Sequence, residues 1–312
     1  MKLRMNLSQK FSDTIAQIYI ICVYIPIYLQ LGRLCLRYKR KPTILRKVNP
    51  DFPYGGLICP KSLIVDKFLQ KEGNELFFTK TLPIATSDAL AKKISKVEQF
   101  MKEEAISYPI ILKPDDGIGG VGLKLITNKK ELELALSEIK KDYVAQEYVA
   151  RQNEFSVFFI KHPNQRAGGI WSFTKRYTVK DAEDPELIIP GRRIICKDES
   201  ELITQKVEDI FNQIGDIPGF HFGRFDIRIK NVETFLKEAK DFTILEVNVG
   251  AHSIALHAFD RRYGWTKRYR IFFEQLRYAF EIADHNAEIA SPYPKQHFKD
   301  FLKKFMGIFN NS

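Results

Sequence analysis

Hydrophobic and polar positions alternate along the chain with two different periods, and the switches between them mark the elements. An uncharged run, residues 14–32, opens the pattern. Residues 61–70 have the spacing of a short helix and residues 75–82 that of a strand. Ser87 is placed to cap an amphipathic helix over residues 89–101, with Leu90, Ile94, Val97 and Met101 on one face. Residues 109–112 form a β-rich run and residues 121–126 an alternating one. Asn128 then caps a helix through Leu132, Leu134, Leu136 and Ile139, and residues 143–146 read as a strand. Two more strands are predicted at residues 155–161 and 169–174. The polar, Pro- and Gly-punctuated stretch 175–198 reads as a loop in which Lys175, Arg176, Arg192 and Arg193 face either an anion or solvent. Ser200 is the expected cap of a helix over 201–214. Residues 221–230 alternate strictly, 231–241 read as a charged loop, and 243–248 form another strand. The aromatic stripe Phe272, Phe273, Leu276 and Phe280 predicts a core-facing helix over 267–283.

Two stretches carry chemistry. Lys113 stands at the end of a predicted strand and a glycine-rich loop follows it, DDGIGGVG at 115–122. Glycines let backbone N–H groups approach an anion, and the lysine adds a point charge, so the pattern suits a phosphate cover. No Gly-Lys-Ser/Thr follows, so this is not a P-loop, and a plain glycine-rich hairpin has the same spacing. The second stretch is the strand pair at 221–230 and 243–248. Arg224, Asp226 and Arg228 fall on the face opposite Phe225, Ile227 and Ile229, while Glu246 and Asn248 share a face two residues apart. If the strands pair, Asp226, Glu246 and Asn248 converge as an oxygen set suited to Mg²⁺. A solvated sheet face is the alternative, and a carboxylate inside Ile-Leu-Glu-Val fits it poorly.

Charge changes the picture at the N-terminus. The 312 residues carry a net charge of +11, of which +9 falls on residues 1–47. That charge flanks the apolar run 14–32, ending in Arg37, Lys39, Arg40 and Lys41, instead of spreading over a folded face, so no nucleic-acid partner is expected. Three readings of the run compete: a membrane-spanning helix with its basic flank on the cytoplasmic side, an interfacial helix on anionic lipid, and a buried core helix. It lacks the layout of a signal peptide. The four cysteines are scattered with no paired spacing, which excludes a zinc or disulfide framework and suits a reducing compartment, and the six histidines have no metal-ligand spacing.

The order of the blocks resembles the ATP-grasp superfamily, in particular its D-alanine–D-alanine-ligase-like branch of carboxylate–amine ligases. The matching residues are YPIILKP (108–114) with DGIGGVG (116–122), QEYV (146–149), EFSV (154–157), GRFDIR (223–228) and LEVN (245–248). The resemblance implies an α+β ATP-grasp fold, two α+β subdomains gripping ATP. The usual N-terminal α/β domain is reduced or replaced by the hydrophobic basic segment. The expected layout is a membrane-associating segment over 1–47, a connector and reduced N-terminal part over 48–105, the catalytic domain over 106–290 and a tail over 291–312.

The implied roles follow residue by residue. Lys113 binds the α/β-phosphates under a flap that includes Gly117, Gly119 and Gly120. Glu147 meets the adenine amino group, with the backbone of Tyr148 and Ala150 completing the hinge, and Glu154 holds the ribose. Asp226, Glu246 and Asn248 bind two Mg²⁺ (with Mn²⁺ as a substitute), and Arg224 stabilises a tetrahedral intermediate. An earlier lysine is also implied; Lys61 is the candidate, with Lys67 and Lys80 as rivals. The implied reaction is Mg-ATP-dependent ligation of a carboxylate to an amine-type nucleophile through an acyl-phosphate, at the inner face of the membrane, with small-molecule or lipid-linked substrates. A non-catalytic ATP-binding module and a kinase on the same fold are the rival functions. The stretch Val249-Gly250-Ala251-His252-Ser253 departs from the usual turn after the metal-binding Asn. The acceptor pocket is therefore not carried over. His252, His257 and residues 261–265 either bind substrate or cap the following helix.

Overall fold

The computed structural model describes residues 24–57, 59–117, 121–150, 153–178, 194–290 and 292–293. Residues 24–38 are helical (α1), so the apolar run continues as a helix as far as it is described, and residues 14–23 lie outside the described part. Among the described residues no helix is long and apolar enough to cross a membrane.

Two antiparallel sheets carry the fold. The smaller uses β1 (Thr81–Ile84), β2 (Ile110–Pro114), β3 (Lys124–Ile126) and β4 (Tyr143–Glu147) in the order β1-β4-β2-β3. Helices α3 (Leu90–Glu103) and α4 (Lys129–Glu138) cover one side of it. Asn128 caps α4 by accepting from Glu131 N (3.1 Å), and the Glu131 carboxylate accepts from Thr127 N (2.7 Å), one residue before the cap. The other expected caps move. Ala89 precedes α3 in place of Ser87. Ser200 opens only a 3₁₀ turn, and Thr204 caps α5 (Gln205–Gly215).

The larger sheet runs β7-β6-β5-β8-β9, from β5 (Asn153–Ile160), β6 (Gly169–Thr178), β7 (Ile194–Asp198), β8 (Phe222–Ile229) and β9 (Phe242–Val249). One face is apolar. Phe155, Val157, Phe225, Ile227 and Val247 pack there with α5, with Phe235 of α6 (Val232–Glu238), and with Ile64 and Phe68 of α2 (Lys61–Leu69). Helix α7 (Trp265–His285) closes one end of the opposite face over Phe158 and Phe222.

Several sequence expectations change. Residues 75–82 are not one strand: a 3₁₀ turn at Asn74–Leu76 leads to Phe78, which bridges Ile244 of the larger sheet, and β1 begins only at Thr81. One apolar run is thus divided between two sheets. The ends of the expected 175–198 loop are strand, completing β6 and forming β7, while 179–193 lie outside the described residues. The expected charged loop 231–241 contains α6, capped by Asn231. The boundaries expected at 47/48 and 105/106 fall inside packed structure. Ile44 and Leu45 rest on the α7 cluster with Val48, and β1 and α3 belong to the smaller sheet and its core.

Residues 49–56, inside the stretch expected to be a connector and reduced N-terminal part, fasten the fold. Buried Asn49 donates to Phe222 O (2.7 Å) and accepts from His221 N (2.8 Å) and Phe222 N (3.0 Å). Gly250, at φ +102°, lies so close to this segment that a Cβ there would sit 2.6 Å from Gly55 O. The two sheets meet along a seam in which Ile244 N donates to Phe77 O (2.7 Å) and Thr79 N to Ile244 O (3.1 Å). Gln146 Nε2 adds bonds to Thr79 Oγ1 (2.6 Å) and Leu245 O (3.0 Å).

Candidate functional site

Strand register lines up the polar face of the larger sheet in rows. Thr174, Ser156, Asp226 and Glu246 are successive partners across β6, β5, β8 and β9. Arg176, Glu154 and Arg228 form the neighbouring row, and Arg224 pairs with Asn248 in the next. The predicted alternation of β8 and β9 therefore brings the three expected oxygen residues together.

Asp226 is the hub of this face. Ser156 Oγ donates to its Oδ1 (2.6 Å) and Asn248 Nδ2 to its Oδ2 (3.0 Å). Arg224 grips both oxygens, Nε on Oδ1 (2.8 Å) and Nη2 on Oδ2 (3.0 Å), and its Nη1 donates to Ile254 O (3.0 Å). Burial alone would raise the Asp226 pKa. The guanidiniums of Arg224 and Arg176 and the bonds from Arg224 and Ser156 outweigh burial and hold it well below the usual carboxylate range. Arg176 joins the rows, Nη1 lying 2.9 Å from Glu154 Oε1 and 3.5 Å from Asp226 Oδ2. Burial opposes its charge, but Asp226 and Glu154 keep its pKa above the ordinary value.

Lysines from the other side meet Glu246. The first turn of α2 is tied to the turn after β2: Ser62 N and Oγ donate to the Asp115 carboxylate (2.8 and 2.6 Å), and Lys61 N donates to Asp115 O (2.9 Å). This places Lys61 Nζ 2.6 Å from Glu246 Oε1. Lys113, on the smaller-sheet face turned away from α3 and α4, reaches 3.8 Å from Glu246 Oε2 and 3.5 Å from Leu245 O. Burial pushes the Lys113 pKa down, with Glu246 working the other way. The rivals of Lys61 go elsewhere: Lys67 lies over the Phe52 ring and Lys80 pairs with Glu104 (3.3 Å).

The remaining expected residues are placed as follows. Gly117 and Gly122 flank the turn between β2 and β3, and Gly122 has φ +77° with Pro114 too close for a side chain; Gly119 and Gly120 lie outside the described residues. Glu147 ends β4, its N donating to Lys80 O (3.0 Å) and its Oε2 accepting from Lys80 N (3.4 Å). Tyr148 and Ala150 follow in the crossing segment between the sheets, where Arg228 Nη1 donates to Val149 O. Glu154 faces Arg176 and, at 3.7 Å, Arg228. His257 is buried edge-on to Trp171 (ring centroids 4.9 Å), and burial drives its pKa to about 4, so it is a neutral packed ring. Arg262 pairs with Asp260, and Gly264, without a side-chain cap, precedes α7.

Sequence reading gave Ser156 no role and left Arg176 between two readings. The signal for both was available, since each falls in period with Glu154 and Thr174 once β6 is continued past residue 174.

The donor set fits Mg²⁺. Asp226 and Glu246 are adjacent carboxylates, and Asn248, donating through Nδ2, keeps its amide oxygen as a ligand. Among the described residues no group of three or more His, Cys, Asp and Glu side chains could hold a metal, so this set is two carboxylates and an amide. Three polar atoms on the same face, Thr174 Oγ1, Arg176 Nε and Arg228 Nε, are buried without a protein partner, as groups at a polar ligand site would be.

Residues 74–149 match the family model described as carbamoyl-phosphate synthase L chain, ATP binding domain. No curated protein sequence matches the chain. Among solved structures, D-cycloserine synthetase DcsG is 13% identical over 74% of this chain and 71% of its own, at a TM-score of 0.44. The D-alanine–D-alanine ligase of Coxiella burnetii is 12% identical over 82% of this chain at a TM-score of 0.44, and the match spans 62% of the ligase. The D-alanine–D-alanine ligase of Bacillus anthracis complexed with ATP is 14% identical over 75% of this chain and 68% of its own, at 0.45. Likenesses at this level carry no weight for activity or substrate.

Proposed function

On an ATP-grasp fold whose two sheets bring lysines and carboxylates together along one seam, we propose that the chain is a Mg-ATP-dependent ligase. It joins a carboxylate to an amine-type nucleophile through an acyl-phosphate. The observation that carries this is the meeting of Lys61 and Lys113 with Glu246, beside an Asp226 kept ionised by Arg224.

Lys61 and Lys113 pair with phosphate oxygens, and the glycine-rich stretch 115–122 supplies backbone N–H groups to them. Glu147, Tyr148 and Ala150 bind the adenine edge, and Glu154 the ribose hydroxyls. Asp226, Glu246 and Asn248 hold Mg²⁺, with Mn²⁺ as a substitute, and the metal supplies charge neutralisation on the phosphoryl group. The substrate carboxylate oxygen attacks the γ-phosphorus, the bond to the β-phosphate oxygen breaks, and ADP leaves. The amine then attacks the acyl carbon, phosphate departs with the C–O electron pair, and the amine proton is lost to solvent. Arg224, beside Asp226 on the same face, is the group assigned to stabilise the tetrahedral oxyanion.

Calorimetry of Mg-ATP on the full chain tests the site. Lys113→Ala, Asp226→Asn and Glu246→Gln are each expected to weaken binding by about tenfold or more, since each removes a charge-assisted contact. Phosphate release on screening carboxylates with amines then follows in the parent alone. A folded parent that does not bind Mg-ATP overturns the reading.

We further propose that residues 1–47 associate with the inner face of a membrane, which makes a lipid-linked substrate accessible. Support comes from the apolar run 14–32 and the basic cluster after it. Cell fractionation tests it: a parent found wholly in the supernatant rejects it.

A further inference from the structure

Helix α1 lies along α7 and runs in the same direction. Pro26 and Gln30 border Tyr269, Arg270 and Phe273, whereas twelve residues on Tyr38 meets Phe280 (ring centroids 5.9 Å) and Arg40 pairs with Asp284 (2.7 Å). Leu34 is buried, so α1 already has an inner face. A helix packed in this way ordinarily turns polar residues outward. Here the exposed positions 24, 25, 28, 29, 32, 33, 36 and 37 form one outward stripe, and it holds Tyr24, Ile25, Tyr28, Leu29 and Leu36. Leu29 is 70% and Leu36 82% exposed.

The neighbouring end of α7 continues the pattern. Trp265, Tyr269 and Phe273 follow one another at one-turn intervals (5.8 and 6.0 Å between rings), and Trp265 is 46% exposed. Between the helices lies a largely apolar cavity of about 630 Å³ bordered by Arg270 and Arg277 and one acid, Glu274. Cations outnumber acids around it. Residues 24–41 hold Arg33, Arg37, Lys39, Arg40 and Lys41 and no acid, and residues 265–270 hold Lys267, Arg268 and Arg270 and no acid.

Contiguous exposed apolar surface marks a place where something binds. Tyrosine and tryptophan interleaved with cations match a headgroup boundary, where amphipathic rings sit beside lipid phosphates. We propose that the joint α1–α7 face seats on an anionic lipid bilayer, with Tyr28, Leu29 and Trp265 entering the headgroup layer and Arg33, Arg37 and Arg270 meeting lipid phosphates. This deepens the membrane reading above and rests on it. It adds that the folded body, through α7, forms half of the contact. The apolar run joins α1 at this same aromatic end.

Flotation of the full chain with phosphatidylcholine vesicles, with and without phosphatidylserine, tests the proposal. The parent is expected to float only with phosphatidylserine and to be released by salt. The pairs Tyr28→Ser with Leu29→Ser and Arg33→Glu with Arg37→Glu should each weaken binding by about tenfold or more. Trp265→Ala should weaken it as well, while Leu134→Ser on the exposed side of α4 leaves it unchanged. A parent that floats while all three variants float equally well overturns this surface and leaves membrane association standing. A parent that never floats overturns both. Light scattering that shows a dimer dissociated by the same variants, without flotation, assigns the face to a second copy and overturns the bilayer. Mg-ATP calorimetry is independent of every arm.

Discussion

At the scale of single residues, the site is a balance of opposed charges with Asp226 at its centre. Its depressed pKa makes it a source of stability with a definite sign. The contribution is fully present above the unfolded carboxylate value, about 3.9, and is lost as pH falls through the lower folded value. The stability gap between the parent and Asp226→Asn, measured by urea unfolding at about pH 6 and about pH 3, is therefore expected to narrow at the lower pH. A gap of equal size at both would mean that Arg224 and Arg176 do not keep Asp226 ionised. Asp226, Glu246 and Asn248 were readable from the sequence because Asp226 lies in the unbroken period of β8, and Glu246 and Asn248 stand two apart beyond the register shift that separates Ile244 from Glu246. Asn49 was not. Its three bonds go to residues more than 170 positions away, and no local pattern announces a partner at that distance.

At the scale of elements, reading succeeded where one period persisted and failed where a run served two purposes. The alternation of β8 is unbroken and its boundaries were close to those observed. Residues 75–82 were misread because Phe77–Thr79 belong to the seam and Thr81–Ile84 to the smaller sheet, although the run looks continuous in sequence. Helix α6 was hidden by its charges, since only Phe235 is buried. The contact between β9 and residues 49–56 likewise has no sequence signature beyond its glycines. Gly250→Ala places a methyl group against Gly55 O and forces a left-handed backbone onto a residue with a Cβ. It is expected to cost about 1–3 kcal/mol in urea unfolding. Because the glycine follows the strand of Glu246 and Asn248, the variant should also weaken Mg-ATP binding. A Gly250→Ala protein of unchanged stability would show that the segment yields freely.

At the scale of the whole molecule, two sheets read separately from sequence are one assembly, and the elements thought to precede the catalytic body are built into it. The reason is topological: β1 is inserted beside β4, about sixty residues later, so any boundary between them cuts a sheet. The seam through Ile244 also sets an expected difference in protection across the molecule. Its amides are bonded across the two sheets and buried, whereas β3 has one strand neighbour and exposed Leu125. Amide hydrogen exchange is expected to be slowest at Thr79 and Ile244 and faster throughout β3. Equal rates at the two places would remove the distinction.

That seam lies where the pin of a door would lie. Lys113 and Gln146 reach it directly, so a tilt of the smaller sheet about Ile244 hardly displaces them. Displacement grows with distance from the pin, and the outermost strand β3 sweeps a longer arc than β4. On the ligase reading proposed above, such a tilt would uncover or cover a nucleotide while Lys113 keeps its place.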